Sequence, residues 1–222
     1  MKVAIMQPYF FPYIGYFQLI KSVDVYINLD HVSFMKRSYM TRNELKNNTS
    51  INLNVTKGSQ NKSCIETFVN VDENYINKFK KTLYHLYGKT PYYDEIINEI
   101  INPCFTVGNV NISTFNLKIL KKICSFLEIN TKIVDSSFGM TERKKGDGLI
   151  DIIKKFNSTE YINAIGGKKL YNKEYFKDNG INLYFIEMLD VNFENPYSSI
   201  LDLLFTYEKK HIIQNLDKYK LT

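Results

Sequence analysis

The chain has 222 residues, 44% of them apolar, and a formal net charge of +6. That length suits one large domain, or one domain with an embedded lobe, and the apolar share is enough for a sizeable core. No stretch approaches the length of a membrane span, and the opening apolar run is too short and too interrupted by proline for a signal peptide, so a cytoplasmic protein is expected. Cys64, Cys104 and Cys124 lack paired CxxC spacing and read as reduced core thiols. With only His31, His85 and His211 beside them, no metal site is expected. The positive balance favours an anionic partner such as a sugar nucleotide, a phosphorylated carrier or RNA.

The chain opens on an apolar run, Val3 to Met6, suited to a buried parallel strand. It stops at Gln7-Pro8 and gives way to a loop holding Tyr9, Phe10, Phe11, Pro12 and Tyr13. The two prolines fix φ and remove two backbone donors, so this segment is neither helix nor central strand. A short helix follows around Tyr16–Lys21, then a second strand at Asp24–Leu29 ending on Asp30-His31. The three form a βαβ unit with a right-handed crossover. Its carboxyl edge should carry the ligand, with Gln7 and the aromatic loop beside Asp30.

Residues 32–46 interleave apolar side chains with Lys36, Arg37, Arg42 and Lys46 and read as a loop with short extended pieces. Asn47–Ser50 is a turn, Ile51–Val55 a strand, Lys57–Lys62 a polar turn and Ile65–Val71 a strand, the two strands pairing as a hairpin. Helices are expected from Glu73 to Tyr87, capped by Asp72 or Asn74 and stopped by Gly88; from Pro91 to before Pro103; and from Ile112 to Leu127. They make a helical lobe at about 72–128. An α/β rhythm then resumes: strand Lys132–Asp135, polar loop Ser136–Lys145, helix Asp147–Phe156, strand Glu160–Ala164, helix Leu170–Lys177, strand Ile181–Met188. A last amphipathic helix spans Ile200–Leu216 behind a Ser199/Asp202 capping-box pattern. The expected fold is α/β, a single domain over 1–222. Its sheet is mostly parallel and flanked by helices, with a small hairpin and a helical lobe inserted mid-chain.

Three stretches offer chemistry. Gly166-Gly167-Lys168 lies between a strand end and a helix start, where backbone N–H groups and a lysine suit an anion, although a tight turn needs the same residues. The second is Tyr13-Ile-Gly15-Tyr16, whose strand–loop–helix setting resembles the HxGH element of nucleotidylyl transferases. Tyrosine replaces both histidines, which keeps a hydrogen-bond donor and removes the positive charge. The third is Asp30 with His31 as candidate bases and Arg42 with Asn43 as a clamp for carboxylate, phosphate or amide, with Lys36 nearby. Cys124 sits on an apolar helix face and is not a nucleophile candidate.

Taken together, Ile5–Ile20, Asp30–Phe34, Lys36–Asn43, Asn116, Tyr161 with the turn after it, and Ser199–Phe205 resemble the WbqC-like family over nearly the whole chain, departing from its last block at Tyr207-Glu208. Members occur among bacterial genes for surface polysaccharide, particularly O-antigen. The resemblance therefore implies an amide-forming transferase that moves glycine, another amino acid or a small acyl group onto an amino sugar. On that reading Asp30 or His31 is the base, Tyr13, Asn43 or loop N–H groups serve the oxyanion, and Lys36, Arg42 and Lys168 meet the sugar diphosphate. Gln7, Tyr9, Tyr13, Gly15, Tyr16, Lys36, Tyr161, Asn163, Gly166, Gly167 and Lys168 bind a nucleotide-linked amino sugar. No tightly bound cofactor is expected; the activated donor is an acyl-CoA, a carrier-protein thioester or an aminoacyl-tRNA, so tRNA or an acyl carrier protein is a candidate partner. Two other readings stand beside it: a nucleotide-dependent ligase or nucleotidylyl transferase built on the HxGH-like loop, and a non-catalytic sugar-nucleotide-binding or scaffold protein.

Overall fold

A computed structural model describes residues 1–56, 62–135 and 145–222. Most of the expected polar turn at 57–62 and of the polar loop at 136–145 lies outside the described residues. The sheet has six strands: β1 (Lys2–Met6), β2 (Val25–Asn28), β7 (Lys132–Val134), β8 (Glu160–Ala164), β9 (Asn182–Met188) and β10 (Tyr219–Leu221), in the order β10-β9-β8-β1-β2-β7. All pairs are parallel except β9 with the edge strand β10, which the sequence reading missed. Numbered in chain order, the parallel strands run 3-2-1-4-5, the order of a doubly wound nucleotide-binding sheet.

Strand alternation divides the core into two layers. Ala4, Tyr26, Ile162 and Ile186 face a large cluster that includes α1 (Ile14–Lys21), α5 (Ile112–Phe126), α8 (Ile200–Thr206), α9 (Lys209–Asn215) and the lobe. Val3, Ile5, Val25, Ile27 and Tyr161 face a smaller one with α6 (Lys145–Lys155) and α7 (Lys173–Asp178). The chain reverses direction across the sheet between β1 and β8.

The lobe lies between β2 and α5. Its helix α2 (Glu73–Tyr87) has the expected bounds, with the Asp72 side chain accepting from Tyr75 N at 2.7 Å. The second expected helix is three pieces, α3 (Tyr93–Ile96), a π turn at Ile97–Ile101 and α4 (Asn102–Cys104). It runs through Pro103 instead of stopping before it. The expected hairpin is re-partnered. β4 (Thr49–Asn52) pairs with β3 (Arg42–Leu45), and β5 (Phe68–Val71) pairs with β6 (Gly108–Asn111). Only a bridge at Val55–Val69 joins the two segments read as partners. Asn47 and Asn48 both have left-handed φ, 58° and 55°, which folds the chain back tightly onto the strand just before it.

The long C-terminal helix is also interrupted. Tyr207 is extended between α8 and α9, at φ −119° and ψ 153°. Its hydroxyl accepts from Glu194 N at 3.1 Å and its ring packs 4.9 Å from Phe193, so it turns out of the helix line. Ser199 does cap α8, accepting from Leu201 N at 3.3 Å. Asp202 does not complete a capping box. Its carboxylate accepts from the Tyr87 hydroxyl at 2.5 Å and ties α8 to the lobe.

Candidate functional site at the switch point

The aromatic loop after β1 is held from behind through its carbonyls. Asn43 Nδ2 donates to Phe10 O at 3.2 Å and Phe11 O at 2.7 Å. Ser199 Oγ donates to Phe11 O at 2.8 Å, and Ile200 N to Pro12 O at 2.9 Å. Asn116 Nδ2 reaches Pro8 O at 2.9 Å and Met40 O at 2.8 Å. Tyr16 Oη bonds Gln7 O and Tyr26 Oη. Phe10 and Phe11 are fully buried, packing on Phe79, Phe105 and Phe115 of the lobe and α5. Phe11 adopts φ 44°, a left-handed conformation that a side chain of this size takes only when its surroundings impose it. With these residues buried, Gln7, Tyr9 and Tyr13 are left half-buried at the surface of the loop.

Below the loop, β1 and β8 part. Their ladder is recorded only at Lys2–Glu160 and Val3–Tyr161, so Ile5 and Met6 separate from Asn163 and Ala164. A cavity of about 380 Å³ opens there, lined by Met6, Gln7, Tyr161, Asn163, Gly166 and Gly167 among others. A second of about 470 Å³ continues from Gln7, Tyr9 and Met35 to Arg37, Tyr39, Arg42 and Glu44. The two share Gln7, Tyr9 and Met35 and make one cleft at the point where ligands bind in sheets of this order.

Side chains in the cleft are mostly neutral donors and rings. Burial, then the neighbouring Tyr39, pushes the Tyr9 hydroxyl up, and burial, then Tyr171, pushes Tyr161 well up. Both therefore stay protonated at neutral pH and donate. Among the described residues the Tyr161 hydroxyl and the Gln7 side-chain amide make no hydrogen bond. Asn163 Oδ1 accepts from Ala164 N at 2.7 Å, which holds the side chain against Gly167. A Cβ on Gly167 would come 2.7 Å from Asn163 Nδ2, so this close approach requires glycine. On β3, alternation buries Asn43 and Leu45 and exposes Arg42 and Glu44 side by side toward the cleft. Glu44 is the one carboxylate among the described lining residues of both halves.

Several expected site residues stand elsewhere. Asp30 is not beside the aromatic loop: β1 and β2 stay paired from Val3 to Met6, and Leu29 N donates to Met6 O at 2.8 Å. Alternation then sends Leu29 to the cleft and Asp30 into a separate cavity. His31 stays with Asp30, its Nε2 3.7 Å from Oδ1, and lines neither half of the cleft. The Asn43 amide is committed on both sides, since its Oδ1 accepts from Glu44 N at 2.8 Å. Tyr16 is buried against Tyr26, so the second tyrosine of the HxGH-like stretch does not reach the cleft. Tyr13 covers Gly15, whose Cβ would meet that ring at 2.4 Å, and stacks on Tyr197 beside a smaller pocket. Lys168 Nζ lies 6.0 Å from the Phe185 ring centre, and Lys36 is exposed outside the lining. The sequence reading missed Glu44, Arg37, Tyr39 and Tyr197. Among the described residues no cluster of His, Cys, Asp and Glu is arranged to hold a metal ion, and no helix is long and apolar enough to cross a membrane.

The fold and site define an α/β protein of doubly wound strand order with a cleft at its switch point, roofed by a clamped aromatic loop. The chain belongs to the WbqC-like protein family, whose pattern matches residues 7–214. It is 27% identical over 221 residues to the uncharacterized protein Rv1507c of Mycobacterium tuberculosis (strain ATCC 25618 / H37Rv), covering 92% of this chain and 93% of that protein. No solved structure matches it.

Proposed function

We propose that the protein is a cytoplasmic transferase that forms an amide on a nucleotide-linked amino sugar for surface polysaccharide, with the switch-point cleft as its acceptor site. The observation that carries this reading is the cleft itself, where Arg42 and Glu44 sit side by side on β3 facing rings and neutral donors. The diphosphate meets Arg42 and Arg37. Tyr9, Tyr39 and Tyr197 pack on the base or the sugar face. Gln7, Asn163 and the Tyr161 hydroxyl read sugar hydroxyls.

The chemical step is aminolysis of an activated donor, an acyl-CoA, a carrier thioester or an aminoacyl-tRNA. The acceptor nitrogen bonds to the donor carbonyl carbon and loses a proton to the Glu44 carboxylate. The oxyanion accepts from the Tyr9 hydroxyl. The C–S or C–O bond then breaks, and the proton passes to the leaving thiolate or alkoxide. Glu44 replaces Asp30 and His31 in the role of base because it faces the cleft and they do not.

Incubation with dTDP- or UDP-amino sugars and each donor class, read by mass spectrometry, should give the amide, and Arg42→Ala and Glu44→Gln should each lower its rate. Binding of the sugar nucleotide without an adduct from any donor would refute the transferase and leave a binding protein. The strand order favours one second reading, a nucleotide-dependent ligase; amide formation that requires ATP and releases pyrophosphate would select it.

A further inference from the structure

The cleft opens between two chain segments that reach it from opposite sides, one after β2 and one after β8, the two strands that flank β1. Met35 and Tyr39 line it from the first and Leu170 from the second, with Tyr197 beside them. These four side chains are 53%, 62%, 75% and 72% exposed. Large apolar side chains scattered singly over a surface are ordinary, but four at one opening form a patch. Acceptor binding as proposed uses Tyr39 and Tyr197 and leaves Met35 and Leu170 without a role.

Each of those two side chains stands next to cations. Lys36 and Arg37 follow Met35, and Lys168 and Lys169 precede Leu170, all four exposed. Elsewhere on the surface Lys21, Lys121, Lys122, Lys209 and Lys220 each pair with a carboxylate. Among the described residues none of the four cations at the opening does. The only carboxylate among the described lining residues, Glu44, belongs to the cleft itself. The rim is therefore basic and partly apolar on both sides, and it complements an acidic surface with apolar residues among its carboxylates.

We propose that this rim docks an acidic carrier protein, which delivers the acyl donor as a thioester on its phosphopantetheine arm. The proposal rests on the transferase reading and selects among its donors. A free acyl-CoA leaves the outer faces of Met35 and Leu170 in water. An RNA end binds through its phosphates and by stacking bases on aromatic rings, and neither Met35 nor Leu170 offers a ring. A carrier protein uses both features: its body stays outside on Met35, Leu170 and their cations while the arm enters the cleft. There the acceptor nitrogen bonds to the acyl carbon, the C–S bond breaks, and the proton released by the amine ends on the thiolate, so the carrier leaves as its free thiol.

Calorimetric titration of the full chain with an unacylated holo acyl carrier protein tests the docking apart from the chemistry. Binding should be saturable and should weaken at least about tenfold between about 50 and about 300 mM salt. Lys169→Glu and Leu170→Ser, both at exposed positions, should each weaken it about tenfold. In amide formation both variants should raise KM for the acetyl or glycyl carrier thioester about tenfold, and Lys169→Glu should leave KM for acetyl-CoA unchanged. No saturable carrier binding, or binding indifferent to both substitutions, would overturn the docking; amide formed from acetyl-CoA or glycyl-tRNA alongside that result would leave the transferase standing. Carrier binding as expected with no amide from any donor would remove the transferase reading and the delivery role with it. Transfer RNA bound in place of the carrier, with the same loss in Lys169→Glu, would overturn the carrier in favour of RNA.

Discussion

The carbonyl clamps behind the aromatic loop can be measured through one shared acceptor. Phe11 O receives Asn43 Nδ2 at 2.7 Å and Ser199 Oγ at 2.8 Å, and Phe11 is fully buried. Asn43→Ala removes that bond, the one to Phe10 O at 3.2 Å and the one from Glu44 N at 2.8 Å. At about 0.5–1.5 kcal/mol for each bond, the substitution should cost about 2–4 kcal/mol. For a chain of this size that lowers the melting temperature by roughly 5–15 °C. Ser199→Ala loses its bond to Phe11 O and the cap on α8, each worth about 1 kcal/mol.

Either single variant leaves Phe11 O with one donor, and the double variant leaves none. The pair should therefore cost about 1–2 kcal/mol more than the sum of the singles, the penalty of a bare buried carbonyl. The α8 cap and the Phe10 bond each appear in one single variant and cancel from the cycle. Urea unfolding of the four proteins gives the coupling directly. Additivity within about 0.5 kcal/mol would mean that the two side chains do not share the carbonyl, and the clamp argument would fail.

Other outcomes follow from the same geometry. Asn116→Ala strips donors from Pro8 O and Met40 O and should cost about 2–4 kcal/mol in urea unfolding, with no dependence on ligand. Gly167→Ala forces Asn163 aside and should weaken acceptor binding, measured by calorimetry, while costing about 1–3 kcal/mol of stability. The thiols predict an alkaline limit. Burial pushes Cys64 and Cys124 up to about 12 and Cys104 up to about 11 from 9.0, so the folded protein holds these protons after the unfolded chain has lost them. Stability is full below pH 9.0 and is lost as pH rises through about 12, visible as a falling urea midpoint; for the same reason DTNB should react with these thiols at neutral pH only after denaturation.

What the sequence revealed and concealed has a physical pattern. Local signals were enough for α2 and β8, because Asp72, Gly88 and an apolar run mark their ends within the segment. Pairing partners were not legible. The β3 segment Arg42–Leu45 is polar at three of its four positions, and only its pairing with β4 reveals the alternation that points Arg42 and Glu44 at the cleft. Asp30 reads as an edge residue of the aromatic site because nothing local says whether two strands stay zipped or part. Asn43, Asn116 and Ser199 were harder still. Their partners are backbone carbonyls, which every residue has, so no spacing of side chains could identify them as clamps.

The strand order makes the loop after β1 the expected place for a phosphate, since in such sheets that turn brings backbone N–H groups to the anion. This loop has fewer such groups to offer. Pro8 and Pro12 have no N–H, and Phe10 N already donates to Tyr39 O at 2.8 Å. Phe11 and Phe10 fill the space toward the lobe, and Tyr16, which falls where the HxGH element has a histidine, is turned inward to Tyr26. The loop therefore contributes rings and hydroxyls. Positive charge reaches the cleft on Arg42 of β3 and on Arg37 just before it, both in the segment inserted after β2. On the proposed function, the segment inserted after β2 would supply the ion recognition that the first turn supplies in other sheets of this order. The clamps from Asn43 and Ser199 fix the distance between the two, because Asn43 is the β3 neighbour of both Arg42 and Glu44.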